Sequence, residues 1–328
     1  MSLSSYAIRT LRNTFAKSVV VVVGWGLSAS APAAQAPAGA ASVGYTVNTF
    51  SSNFSPATVD LANSGKPGFS WYPWNLYGSH TNLAAIRLNS DNSVTLAGDR
   101  TGPNGELISA TAANNSEQFV GTAFGGGAYI EAEIKFNPDD VAKAASKGWP
   151  SFWSLEIHDS VLKSSSHWPG QPPGYKHSVE ADFFEYLYLP YNVPRNIYGA
   201  GLHEWYGIQN VTCGHGLCAQ HMRMEEPKRP APVGTDFTQY HRFGFLWVPA
   251  TDNSSGYVRY YFDEQSVGPD RLWTQFQDQP PPPTDQSWAF GRLDQQHQVL
   301  ILGTGINEPM TVRSVNVWQA SDQNNMHQ

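Results

Sequence analysis

Apolar and polar positions alternate with a two-residue period through much of the chain beyond residue 40. In the run 128–136, Tyr129, Glu131, Glu133 and Lys135 interleave with Ile130, Ala132, Ile134 and Phe136. That is the spacing of a strand with one face in a core and the other in water. Residues 257–262 read the same way, and further short β-type runs fall at 93–97, 178–189, 299–302 and 311–318. Gly, Pro, Asn and Asp separate them. Many short strands with turn residues between them predict an all-β chain built as one large sandwich. One helix is predicted, capped by Asn137, with Pro138 in its first position and Gly148 beyond its end. The proline-rich stretches 168–174 and 280–283 predict extended surface loops, because proline cannot join a central ladder. No internal repeat is present.

The run 178–189 breaks the pattern. Glu180, Asp182 and Glu185 sit among Val179, Ala181, Phe183, Phe184, Tyr186, Leu187, Tyr188 and Leu189. Burying unpaired charge in so apolar a strand is costly, so the acids call for a specific reason. Alternation puts Glu180 and Asp182 on one face, with Ala181 and Phe183 turned to a core. Glu185 would fall on the core face unless a one-residue bulge near Phe183 or Phe184 restores it to the face of Glu180. Three acids in a row on one sheet face suit retaining glycoside hydrolysis, which needs two carboxyl groups about 5–5.5 Å apart. A third acid between them can hold a proton and keep their pKa values apart. The competing reading is the wet face of an edge strand or helix. The aromatic density, together with Pro190 and Pro194, weakens the helix.

Composition narrows the partners. The formal net charge is -7, 13% of residues are aromatic and only 14% charged, with 29 Gly and 23 Pro. No Lys/Arg block stands out, so nucleic acid is not an expected partner; a neutral ligand with faces to stack on fits better. The first forty residues read as an export signal: Arg9, Arg12 and Lys17, then the apolar run 18–27, then small residues with candidate cuts after Ala33 or Ala40. Loss of those cations leaves a mature charge of about -10. The expected organisation is a signal peptide at 1–40 and a single domain at 41–328, secreted or periplasmic. The apolar run is too short for a permanent anchor, and no later segment reads as transmembrane. Cys213 and Cys218 flank a short Gly-rich loop, which in an exported chain favours a disulfide. A zinc site with His215 or His221 is the alternative, although the spacing matches no common ligand pattern.

Other segments extend the argument. The motif Glu180-x-Asp182-x-x-Glu185 follows Gly148-Trp-Pro-Ser-Phe-Trp153 and the strand at 127–136. Downstream come the run 237–249, ending in Trp-Val-Pro, and the closing run 310–318. In this order, over about residues 45–320, they resemble glycoside hydrolase family 16, in its bulged laminarinase-, agarase- and carrageenase-like version. The resemblance implies a jelly-roll sandwich of two curved antiparallel sheets, concanavalin A-like, that acts as an endo-glycosidase or transglycosylase on a β-glucan or galactan. It implies Glu180 as nucleophile, Asp182 as its helper and Glu185 as acid/base. It implies no cofactor; members often carry a structural calcium, for which no acidic loop is evident here. Three departures stand out: Ala181 in place of a larger aliphatic, Asp263-Glu264 where Asp-Gly is usual, and a polar, proline-rich insertion between Trp153 and Val179.

Sugars offer flat C–H faces to aromatic rings and hydroxyls to polar groups. Trp149 and Trp153 match cleft-lining positions in the family, core packing being the alternative. His203 and Trp205 alternate onto one face of the predicted next strand, where the histidine could bond a sugar, tune an acid or be structural. The cluster of Trp71, Tyr72, Trp74 and Tyr77 predicts either a stacking platform or edge packing. No metal is expected. The expected partner is a polysaccharide or oligosaccharide, with no membrane association and a monomeric chain. The rival class is a non-catalytic carbohydrate-binding protein on the same scaffold. A jelly-roll lyase is disfavoured, because no cluster of Arg, Gln, His and Tyr on a strand is apparent.

Overall fold

The computed structural model describes residues 35–73, 82–97, 105–113, 118–143, 148–162, 173–186, 195–208, 211–213, 216–218, 221–225, 227–276, 289–303 and 310–328. Two antiparallel sheets, of nine and eight strands among these residues, face each other as a jelly-roll β-sandwich. The nine-stranded sheet is centred on Ala128–Phe136, flanked by His241–Val248 and Met310–Gln319. The eight-stranded sheet runs His221–Glu225, Ile197–Ile208, Tyr175–Glu185, Ser151–Glu156, Gln298–Leu302, Leu107–Ile108, Tyr72–Pro73, with Lys228–Pro230 beside Ile197–Ile208. The predicted strands lie within a few residues of those observed. The predicted helix is Pro138–Lys143, and Asn137 Oδ1 accepts the Asp139 N–H at 2.9 Å as its cap.

The core between the sheets is aromatic. Phe183 and Phe184 from one sheet meet Phe245 and Phe243 from the other, with ring centroids 4.5 and 4.1 Å apart. Both phenylalanines are buried, so two consecutive residues face inward and strict alternation fails there. Each such ring contributes roughly 2–3 kcal/mol by leaving water. That is enough to hold a bulge against its local cost.

One expectation is corrected, and an open reading is decided. The face of Ala128–Phe136 bearing Tyr129 and Glu131 is not wet: both are buried, and Tyr129 clusters with Ala40, Tyr45, Leu246, Tyr261 and Trp318. Ala40 comes from the helical turn Ala38–Ala41, so the end of the predicted signal packs on the sheet, while residues 1–34 lie outside the described residues. Trp71 is buried, its Nε1–H donated to Ser52 Oγ at 2.9 Å. That is packing and not a platform; Trp74 and Tyr77 lie outside the described residues. The Cys213 and Cys218 side chains lie outside them too, although the backbone forms a hairpin pairing Val211 with Cys218. Most of the predicted loop at 168–174, and all of 280–283, are likewise outside. Among the described residues no helix is long and apolar enough to cross a membrane.

A second apolar cluster lies on the outer face of the eight-stranded sheet. Trp153, Ile301, Ile108 and Tyr72 stand in one cross-strand row. They cluster with Phe119, Val120 and Ala123, which belong to the small sheet formed by Ala110–Ala112, Phe119–Ala123 and Met326–His327. That flank of the outer face is sealed.

Candidate active site

Glu180, Asp182 and Glu185 share the outer face of the Tyr175–Glu185 strand. The register against Ile197–Ile208 pairs Glu180 with His203, Asp182 with Gly201 and Glu185 with Gly199. Three residues on the acid strand thus oppose two on its neighbour. On the other side, Asp182 pairs with Trp153, Phe184 with Phe152 and Glu185 with Ser151, again with a register shift. The bulge turns Glu185 outward while Phe183 and Phe184 stay in the core.

Each glutamate is held by an indole. Trp205 Nε1–H donates to Glu180 Oε2 at 2.9 Å, and Trp149 Nε1–H donates to Glu185 Oε1 at 2.7 Å. Each indole N–H fixes the orientation of one carboxyl group by binding one of its oxygens. Asp182 is only 2% exposed and Glu185 6%, while Glu180 is half-buried. Burial pushes the Asp182 carboxyl above the usual carboxylate range, and His203, whose Nε2 stands 3.1 Å from Asp182 Oδ2, pulls it partway back. The His203 and Trp205 rings lie nearly parallel, with centroids 6.0 Å apart and 18° between planes.

Sequence reasoning missed the small residues around the acids. Gly199 and Gly201 stand opposite Glu185 and Asp182 and put no side chain beside them. Ser151, in the Glu185 row, is fully buried, and its hydroxyl has no hydrogen-bond partner. None of these residues signals chemistry by type; only the cross-strand register would have found them. Trp153 departs from expectation in the other direction. It lies on the outer face as its position requires, yet is 3% exposed and donates its N–H to Gly303 O at 2.7 Å. It walls the site and offers no ring face to a sugar.

An oxygen from Glu180, one from Asp182 and a ring nitrogen of His203 lie within 4.8 Å of one another, a donor set with the chemistry for a divalent cation. The Trp205 N–H bound to Glu180 Oε2 is compatible with either a cation ligand or an acid–base group.

No protein-family model and no curated protein matches the chain. Solved structures similar to it include LamA from Z. galactanivorans in complex with laminaritriose and laminaritetraose. That match has 12% identity over 84% of this chain and 100% of that one, with a TM-score of 0.43. The VIP36 exoplasmic/lumenal domain in its Ca2+/Man3GlcNAc-bound form is 10% identical over 76% and 84%, with a TM-score of 0.38. The lectin UEA-II complexed with galactose is 10% identical over 83% and 99%, with a TM-score of 0.30. Likenesses this distant do not bear on the site.

Proposed function

We propose that the chain is an exported retaining glycosidase that cleaves a β-glucan or galactan by double displacement. The observation that carries this reading is the bulge. It gathers Glu180, Asp182 and Glu185 on one face and leaves each glutamate with its own indole donor. Glu180 is the nucleophile: an ionised carboxylate oriented by Trp205 attacks the anomeric carbon. Glu185 gives its proton to the departing oxygen, then takes one from water to release the glycosyl-enzyme. Burial favours the protonated form of Asp182 beside Glu180, against the pull of His203. That form can donate a hydrogen bond to the nucleophile and withdraw it as the covalent bond forms. His203, from the neighbouring strand, restrains Asp182 through its Nε2 at 3.1 Å. Whether water or a second sugar completes the reaction depends on the acceptor side, and transglycosylation uses the same residues.

The test is turnover on linear β-glucans and galactans, read as new reducing ends. Glu180→Gln and Glu185→Gln are each expected to abolish it while leaving the circular dichroism spectrum and sugar binding unchanged. Azide is expected to rescue Glu180→Ala with inverted product. Near-normal activity in either glutamine variant would remove the role assignment. Binding without turnover by the parent protein would leave a carbohydrate-binding protein, and loss of activity on chelation would redirect the reading to the Glu180–Asp182–His203 donor set.

A further inference from the structure

The outer face of the eight-stranded sheet is closed on one flank of the acids and open on the other. Toward Ser151–Glu156 and beyond, Trp153, Ile301, Ile108 and Tyr72 are buried under the small sheet. Toward the opposite edge the register carries the face outward in two rows. Glu180 stands beside His203 and then Met224; Ser178 stands beside Trp205 and then Met222. Met222 is 49% exposed and Met224 52%.

The edge strand His221–Glu225 is inverted relative to what water favours. Its charged residues point inward and its methionines outward. Arg223 reaches to 3.7 Å from buried Glu204, itself 2.7 Å from His177, and Glu225 pairs at 3.0 Å with Arg271 of the facing sheet. A one-residue slip would bury both methionines and turn Arg223 away from buried Glu204; the partly exposed Glu225–Arg271 pair adds little. An edge strand ordinarily shows charge to solvent. This one shows two flexible apolar side chains, in line with the indole and imidazole that hold Glu180 and Asp182. It lies two strands, about 10 Å, from the acid strand, the span of a disaccharide.

Resting on the glycosidase reading, we propose that Met222 and Met224 form an apolar platform for the C–H face of a sugar unit in the same polysaccharide chain, beyond the cleavage point on the Glu180 side. Methionine adapts its shape to what it covers, so the platform grips chain length more than sugar identity. With the other flank walled by Trp153, binding energy is gathered chiefly on this side.

The test uses the full chain carrying Met222→Gln and Met224→Gln together, with linear β-glucan and β-galactan oligosaccharides from disaccharide to hexasaccharide as probes. Affinity is read by calorimetry in a Glu180→Gln background and turnover in the Glu180 parent. The expected result is a loss that grows with chain length, reaching about tenfold in affinity and KM for the longest probes, with thermal stability unchanged. An equal loss at every length, no loss, or no binding of any probe by the unsubstituted protein overturns the proposal. So does a shift from dimer to monomer in sedimentation, which would make the methionines a self-association surface. Length-dependent binding without turnover would spare the platform and remove the glycosidase reading. Turnover indifferent to the substitutions would do the reverse.

Discussion

At the residue scale, Asp182 carries the conflict between stability and chemistry. Its folded pKa is raised above the unfolded value by burial, so the folded state binds the proton more tightly. The resulting stability is present at low pH and is lost as pH rises through the folded pKa. Asp182→Asn removes that loss. The variant is expected to melt higher than the parent at neutral and alkaline pH, the difference vanishing toward acid, while kcat/KM falls by about tenfold or more. Thermal melts across pH beside initial rates check both halves; a variant destabilised at every pH would remove the argument. The shared face of Glu180 and Asp182, and that of His203 and Trp205, were legible from alternation; Glu185 needed an assumed bulge, and Trp149 came only from the family resemblance. For Trp153 the choice between cleft and packing stayed open, because its face is correct and its burial comes from a cluster that includes Phe119–Ala123, distant in sequence.

At the element scale, the Asp263-Glu264 turn shows how a departure from common turn chemistry is accommodated. Tyr261 pairs with Ser266 and Phe262 with Gln265, leaving a two-residue loop with φ of 46° at Asp263 and 66° at Glu264. Both residues are left-handed, where glycine or asparagine is favoured. The loop persists because Asp263 accepts the Arg242 N–H at 2.8 Å and contacts His241 Nδ1 at 2.7 Å, while Glu264 pairs with Arg242. The Glu264 pair is exposed and contributes little. Glu264→Gly is therefore expected to stabilise the fold by about 1 kcal/mol, read from urea midpoints; a lower midpoint would show that the ion pair outweighs the strain. Alternation and breakers placed six of the strands within a few residues, but the bulge needed the packing of Phe183 and Phe184 to become definite.

At the scale of the whole molecule, the second face of the nine-stranded sheet matters as much as the core. Glu131 is 5% exposed there, accepts the Tyr129 hydroxyl at 3.1 Å, and burial raises its pKa from 4.5 to about 7. Glu264 and Glu133 push the same way, against Arg242. Folding stability should therefore fall between about pH 4.5 and 7, as the unfolded chain ionises first, by roughly 3 kcal/mol in all. Glu131→Gln should flatten that decline, and melts at both ends of the window check it. The cover over this face includes Ala40, which is fully buried. A signal cut after Ala40 would strip out the Ala38–Ala41 turn, whereas one after Ala33 keeps it. On the proposed export reading, mass spectrometry of the processed chain is expected to find a start near residue 34, and a start at 41 would show that the turn is dispensable.

Local pattern alone determined the predicted strands, the helix Pro138–Lys143 and the trio of acids, because alternation, breakers and misplaced charge are written within a few residues of one another. What covers each face was decided only in three dimensions. The seal over Trp153, the helical turn over Tyr129, and the inward charges that leave Met222 and Met224 in water all depend on pairings between segments far apart in the chain. A side chain's face follows from its own strand, but its burial follows from whichever segment packs against that face.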